Sequence, residues 1–100
     1  MKPTILIADD NAEILELLSL LLKREGYNVI TAENGDEAVK KAKKHAPSLV
    51  ILDINMPVKD GITACKEIKA NDKTKTVPII MLTVAEQLSH VQDALEQGTA

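Results

Sequence analysis

The sequence predicts an α/β domain in which helices cover both faces of a parallel sheet. Short apolar runs alternate with segments of helical periodicity four times along the chain, which is typical of parallel strands joined by helical crossovers. Two of these runs, residues 5–8 and 49–52, have no polar break, as expected for strands buried on both faces. The chain has 100 residues, so we expect one domain over 1–100.

The first strand, residues 5–8, is followed by a leucine-rich helix over residues 12–25, which begins after Asn11 or Asp10 as its N-cap. The apolar face covers an arc of roughly 160° at about 100° per residue, with Leu20 outside it. So broad an arc favours a helix that contacts the sheet on one side and a second helix on another. A leucine zipper is the weaker alternative because no heptad is sustained.

The next two elements are an edge strand and a short amphipathic helix. Residues 27–31 alternate and are rich in β-branched side chains, which favours a strand near an edge. Asn34 is a candidate N-cap with Glu37 three residues later, and we expect the helix to run to His45, before Pro47. Four lysines on this helix are interpreted as a solvated face: Lys40, Lys41, Lys43 and Lys44.

The central strand, residues 49–52, ends at Asp53. In open α/β sheets the functional side chains lie at the carboxyl ends of the strands, which is where Asp53 is predicted to lie. Pro57 and Gly61 give the following loop a defined shape, since one restricts the backbone and the other frees it. We expect a helix over residues 61–71. The stripe predicted for it to bury consists of Ile62, Cys65 and Ile68.

The chain closes with a fourth strand over residues 77–82, which ends at Thr83, and a last helix over residues 85–97. Three of the predicted strands thus end in polar side chains. If these strands are neighbours, their polar ends meet at one edge of the sheet.

Composition excludes several function classes. The only aromatic residue is one Tyr and the net charge is −3, so neither base stacking nor attraction to a phosphate backbone is expected, and nucleic acid is not a predicted partner. The single cysteine, Cys65, cannot form an internal disulfide, and we predict that it is a small core residue. The apolar stretch 14–22 is too short for a membrane span and the start lacks a signal peptide, so we expect a cytoplasmic protein without membrane contact.

The polar strand ends predict a phosphate and metal site. Carboxylates brought together at one edge repel one another, and an all-oxygen ligand set with few protein ligands favours Mg²⁺. Asp53 is the best nucleophile towards phosphorus because it stands alone at the central strand's end. Asp9 and Asp10 are expected to hold the metal. The hydroxyl of Thr83 and the amides after Asp53 and Thr83, Val84 included, are expected to contact phosphoryl oxygens.

These residues carry a resemblance to a known family. The segments that carry it are Asp9-Asp10, Asp53-Ile54-Asn55-Met56-Pro57 with Gly61, and Thr83-Val84-Ala85. Together they resemble the signature of the receiver domains of two-component response regulators, over nearly the whole chain. The resemblance implies a flavodoxin-like fold with strand order 2-1-3-4-5. It implies phosphotransfer from a histidine kinase to Asp53, with Mg²⁺ held by Asp10, Asp53 and the carbonyl of Asn55. Thr83 would be the switch hydroxyl, and the domain would act as a switch and not as an enzyme.

The sequence departs from this family at its C-terminal end. Receivers carry a fifth strand with a Lys-Pro pair and a fifth helix, whereas this chain ends at Gly98-Thr99-Ala100 and has no Lys after Thr83. We therefore expect four strands in the order 2-1-3-4, without the fifth strand and helix. An uncovered strand edge is a template for pairing. The expectation is self-association through the fourth strand or through helix 12–25.

Three other interpretations are open. A truncated receiver-like module would keep the fold and self-associate without phosphorylation-dependent signalling. A phosphatase with an aspartyl nucleophile would require Asp-x-Asp at the first strand, where this chain has Asp9-Asp10. A flavin-binding flavodoxin is disfavoured because the acidic loop after the first strand would repel a phosphate in the absence of a metal.

Overall fold

A computed structural model describes residues 2–54, 56 and 59–82. The elements are β1 (Thr4–Ala8), α1 (Ala12–Arg24), β2 (Asn28–Ala32), α2 (Gly35–His45), β3 (Leu49–Asp53), α3 (Gly61–Ala70) and β4 (Ile79–Leu82). The four strands form one parallel sheet in the order β2-β1-β3-β4. The predicted strand order 2-1-3-4 is confirmed. The predicted last helix, residues 85–97, lies outside the described residues.

The two inner strands, β1 and β3, are the apolar runs that the sequence marks as buried. Leu6 pairs with Ile30 of β2 on one side and with Val50 of β3 on the other. Leu6, Val50 and Leu52 are all fully buried. On the opposite face Ile7 of β1 is fully buried and Ile51 of β3 is half-buried, so neither strand has a polar face and no alternation of polar and apolar residues is needed.

Alternate residues of β1 contribute to two separate cores, one on each face of the sheet. Leu6 and Ala8 belong to a core that includes buried residues of α2 and α3. Ile5 and Ile7 belong to a smaller core with Leu15 of α1. The sheet is therefore wound on both sides, with α2 and α3 packed against each other on one face and α1 on the other.

Helix α1 has a core-facing stripe narrower than the sequence predicts. Leu15 is buried, and Leu18 and Leu22 pack against the same core. Leu17 and Leu21, which the predicted arc includes, are 55% and 44% exposed. Leu15, Leu18 and Leu22 lie at one end of the arc and contact the sheet, so the other end, with Leu17 and Leu21, is left open to solvent.

The stripe predicted for α3 is wrong in one member. Ile62 is 53% exposed, whereas Gly61, Ala64 and Ile68 are buried and Cys65 is half-buried. The helix turns its smallest residues towards the sheet because these let its backbone approach closely. Hydrophobicity alone ranks Ile62 above Gly61 and therefore selects the wrong face.

The last described strand begins later than predicted, at Ile79 instead of residue 77. The preceding residues form turns: the Thr74 amide donates to the carbonyl of Asn71, and the Val77 amide to that of Thr74. Thr74 is fully buried, and its hydroxyl donates to the carbonyl of Ile68 at 2.6 Å. The connection between α3 and β4 is thus a hydrogen-bonded turn.

Capping residues fix where the first two helices begin. Asn11, and not Asp10, is the N-cap of α1, and its Oδ1 accepts from the amides of Glu13 and Ile14 at 2.9 and 3.3 Å. Asn34 caps α2 as predicted, accepting from the Glu37 amide at 2.8 Å. None of the helices in the described ranges combines the length and the apolar character that a membrane span requires.

Candidate functional site

The site lies at the carboxyl ends of β1 and β3. Ala8 and Leu52 are register partners in these neighbouring strands, so the residues that follow, Asp9 and Asp53, emerge side by side. Both aspartates are fully buried, whereas Asp10 is exposed. The predicted convergence of the strand ends is thus present for the carboxylates.

The three carboxylates form a compact acidic cluster. One oxygen from each of Asp9, Asp10 and Asp53 lies within 4.8 Å of the other two. Carboxylates at this spacing repel one another, and a divalent cation removes the repulsion. The oxygen-only donors, two buried and one facing solvent, fit a hard ion such as Mg²⁺ that keeps several water ligands.

Asp9 also ties the site to the start of α1. Its Oδ1 accepts from the amide of Asn11 at 2.9 Å, and its own amide donates to the carbonyl of Ala32 at 3.1 Å. Because Asn11 in turn caps α1, the helix begins at a fixed distance from the acidic cluster. The exposed Asp10 lies between these two anchored residues.

Gly61 holds the other end of the loop that follows Asp53. Its amide donates to the carbonyl of Ile54 at 2.9 Å. A Cβ at this position would lie 2.9 Å from the carbonyl carbon of Asp53, closer than real Cβ atoms come, and 3.0 Å from the Cα of Ile54. The first residue of α3 therefore packs directly on the backbone of the candidate nucleophile, which only glycine permits.

The start of α3 is fastened by Asp60. Its Oδ1 accepts from the amide of Thr63 at 2.7 Å, and this backbone hydrogen bond holds the pKa of the Asp60 carboxyl below its usual value. Asp60 is thus the N-cap of α3. The helix α3 therefore begins with a carboxylate cap directly before Gly61.

Sequence reasoning missed Lys59. Its Nζ lies 2.5 Å from Glu67 of α3 and 3.7 Å from Asp36 of α2. The ion pair with Glu67 raises the pKa of Lys59. No sequence signal marks these pairs, because the three residues come from three segments that only the fold brings together.

Four predicted site residues lie outside the described residues: Asn55, Pro57, Thr83 and Val84. Their predicted roles in metal binding, loop shape and phosphate contact stay predictions. The structure places the remaining four, Asp9, Asp10, Asp53 and Gly61, around one point at the edge of the sheet.

The family of this chain is shown by its similarity to known proteins. The family model of the response regulator receiver domain matches residues 5–100. The chain belongs to this family. This receiver domain is accordingly a signalling module of two-component systems, and the resemblance stated from the acidic motifs is confirmed.

Individual relatives agree with this assignment. The receiver domain is 46% identical over 99 residues to the chemotaxis protein CheY of Bacillus subtilis, which covers 98% of this chain and 81% of that protein. It is 42% identical over 87 residues to the transcriptional regulatory protein PhoP of the same organism, covering 87% of this chain and 35% of PhoP. The chain spans 35% to 39% of the length of three such transcriptional regulators.

One solved relative is informative about the site. The receiver domain of a sensor histidine kinase from Pseudomonas aeruginosa PAO1 superposes with a TM-score of 0.81 at 30% identity, covering 99% of this chain and 81% of that one. That structure has a magnesium ion coordinated in its active-site cleft. The flavodoxin-like fold expected from the sequence is confirmed by such neighbours.

Proposed function

We propose that this receiver domain accepts a phosphoryl group from a histidine kinase on Asp53 and thereby switches its interactions with partners. The observation that carries the proposal is the acidic cluster: Asp53 is buried at the end of β3, with an oxygen of Asp9 and of Asp10 within 4.8 Å of its own. In this role the domain is the phosphoacceptor, and the kinase supplies the phosphoryl group.

The transfer is a substitution at phosphorus. An Oδ atom of Asp53 forms a bond to phosphorus while the P–N bond to the phosphohistidine imidazole breaks. The imidazole nitrogen keeps the electron pair of that bond and takes up a proton. The proton comes from solvent, and the products are an aspartyl-phosphate and a neutral histidine, so no other co-reactant is needed.

Mg²⁺ is the cofactor that the cluster fits. We propose that Asp9, Asp10 and Asp53 hold it, with the carbonyl of Asn55 as a further ligand. When bound, the cation offsets the charge of the carboxylates and of the incoming phosphoryl oxygens. The buried position of Asp9 and Asp53 keeps their oxygens oriented before the phosphodonor arrives.

The remaining predicted residues have supporting roles in the proposal. Thr83 donates its hydroxyl to a phosphoryl oxygen and acts as the switch, and the amide of Val84 binds the same group. Pro57 and Gly61 shape the loop after Asp53. The contact of Gly61 with the Asp53 backbone supports its part of this assignment.

The test is labelling with a small phosphodonor such as acetyl phosphate, followed by intact mass spectrometry. We expect the mass gain of one phosphoryl group when Mg²⁺ is present and none when it is chelated. Asp53→Asn removes the nucleophile and is expected to abolish the gain. Asp72→Asn, at a carboxylate whose side chain is 95% exposed, is the matched control and should be labelled like the wild type.

A wild-type chain that gains no mass under these conditions would rule out the phosphoacceptor role for this chain. Labelling that persists in Asp53→Asn would place the nucleophile elsewhere. Labelling that is unaffected by chelation would contradict the part given to Mg²⁺.

A second candidate function, self-association, is favoured by exposed apolar side chains. Leu17, Leu20 and Leu21 of α1 and Ile80 of β4 are 55%, 59%, 44% and 51% exposed. The three leucines are three and four residues apart on α1 and share one side of the helix, and exposed apolar side chains grouped in this way are typical of interaction sites. Analytical ultracentrifugation should show a concentration-dependent dimer that Leu17→Ser weakens, with Ile62→Ser as the control on another surface. A monomer at all concentrations would exclude this function.

A further inference from the structure

Lys59 stands out among the charged residues that the structure describes. It is the one cation there that pairs with carboxylates of two different helices, Asp36 of α2 and Glu67 of α3. The Lys59 side chain is only 22% exposed, whereas the cations of the pairs Lys40–Asp36 and Lys75–Asp72 are 75% and 57% exposed. The partner carboxylates of Asp36 and Glu67 are 42% and 40% exposed, so solvent screens these two pairs, although less than the exposed pair Lys75–Asp72.

The backbone of Lys59 is held as closely as its side chain. A Cβ at Gly35, the first residue of α2, would lie 2.7 Å from the carbonyl carbon of Lys59 and 2.9 Å from its Cβ. Gly35 therefore packs against the loop in the same way as Gly61 packs against Asp53. Lys59 is fixed to α2 through both its main chain and its ammonium group.

Lys59 is close in sequence to a residue that contacts the candidate nucleophile. Two residues after Lys59, the amide of Gly61 donates to the carbonyl of Ile54, and Gly61 contacts the backbone of Asp53. Any outward movement of Lys59 would pull on Gly61. A restraint on Lys59 is therefore also a restraint on Gly61, which lies against the backbone of Asp53.

We propose that Lys59, held between Asp36 and Glu67, is a positioning residue that fixes Gly61 against Asp53 and so orients the Asp53 carboxylate for phosphorylation. The inference rests on the proposed function for its consequence in the reaction. The proposed restraint of Gly61 by Lys59 does not depend on that function. Lys59 acts through Gly61 and touches no reacting atom.

The first experiment measures the structural part by amide hydrogen exchange of Gly61. Lys59→Met keeps the size of the side chain and removes its charge. We expect it to speed exchange at Gly61 by roughly three- to tenfold, because two ion pairs that share one cation are lost together. Lys75→Met, which removes an exposed pair, should change this rate by less than about twofold. Unchanged exchange at Gly61 in Lys59→Met would overturn the proposed hold.

The second experiment measures labelling of Asp53 by acetyl phosphate at saturating Mg²⁺, well below the melting temperature of each variant. Lys59→Met should lower the rate by about three- to tenfold, since small displacements of reacting groups are costly. Lys59→Arg, which keeps the charge, should recover most of it. Lys75→Met should leave the rate within about twofold of the wild type.

Glu67→Gln separates positioning from long-range electrostatics. Lys59→Met and Glu67→Gln remove opposite charges, so a field effect on the incoming phosphoryl group would move the two rates in opposite directions. Loss of positioning lowers both rates and speeds Gly61 exchange in both. Opposite changes would overturn the proposal, as would faster exchange with an unchanged rate. If the wild type is not labelled at all, the proposed function fails, and the exchange data still decide whether Lys59 holds Gly61.

Discussion

The two faces of the sheet are built on different principles. On the α2 and α3 face, small residues lie at the contacts, Gly35 and Gly61 among them, and backbones meet backbones. On the α1 face, larger side chains such as Leu15 fill the space, and Leu17 and Leu20 stay exposed. Close backbone contact leaves little room for movement. The difference indicates that the loop after Asp53 is positioned from the α2 and α3 side.

The largest expected effect tests whether the two faces differ in stability. Ile68→Ala, in the core under α3, should lower the free energy of unfolding by about 2–5 kcal/mol because it leaves a cavity. Leu17→Ala on the open flank of α1 should cost less than about 0.5 kcal/mol. Ile62→Ala is the control within α3 and should also be small. Urea unfolding measures all three, and equal losses at Ile68 and Leu17 would remove the contrast.

The next effect tests the close contact at Gly35. Gly35→Ala places a Cβ against the backbone of Lys59, so α2 or the loop must shift, at a cost of about 1–3 kcal/mol. Gly26→Ala is the matched control: a Cβ there meets no atom within 4 Å, and the cost arises from its φ of +95° alone, about 1 kcal/mol. Exchange at the Gly61 amide should quicken in Gly35→Ala and stay unchanged in Gly26→Ala. Faster exchange at the Gly61 amide in both variants would show that it reflects a general loss of stability and not the contact between Gly35 and Lys59.

The smallest effect concerns pH and the cap of α3. The hydrogen bond from Thr63 lowers the pKa of Asp60 below its ordinary value of 3.8 in the folded chain. The unfolded chain therefore binds the proton first as pH falls. The contribution of Asp60 to stability is present above pH 3.8 and is lost as pH falls through the lowered pKa.

Asp60→Asn keeps a capping oxygen and removes this titration. Thermal unfolding across the acid range should show a shallower decline of stability for the variant below pH 3.8. The exposed Asp72→Asn is the control and should follow the wild type. Identical acid profiles for Asp60→Asn and the wild type would show that the cap does not depend on charge.

Sequence patterns were reliable where burial on two faces leaves a simple signature. The runs that became β1 and β3, and the caps at Asn11 and Asn34, could be recognised because strands and caps depend on local chemistry. The pairing of Asp9 with Asp53 was predictable once the strands were taken as neighbours. The buried face of α3 was not predictable, because a helix pressed against a backbone buries Gly61 and Ala64 ahead of Ile62.

By itself the sequence determined the alternation of strands and helices, the strand ends that carry the aspartates, and the family resemblance. These follow from residue order, since periodicity and capping act over a few neighbouring positions. Only the tertiary structure decided which leucines of α1 are exposed, how closely Gly61 approaches Asp53, and that Lys59 joins α2 to α3. Those contacts join segments far apart in the chain, and their energies depend on distances that no local pattern encodes.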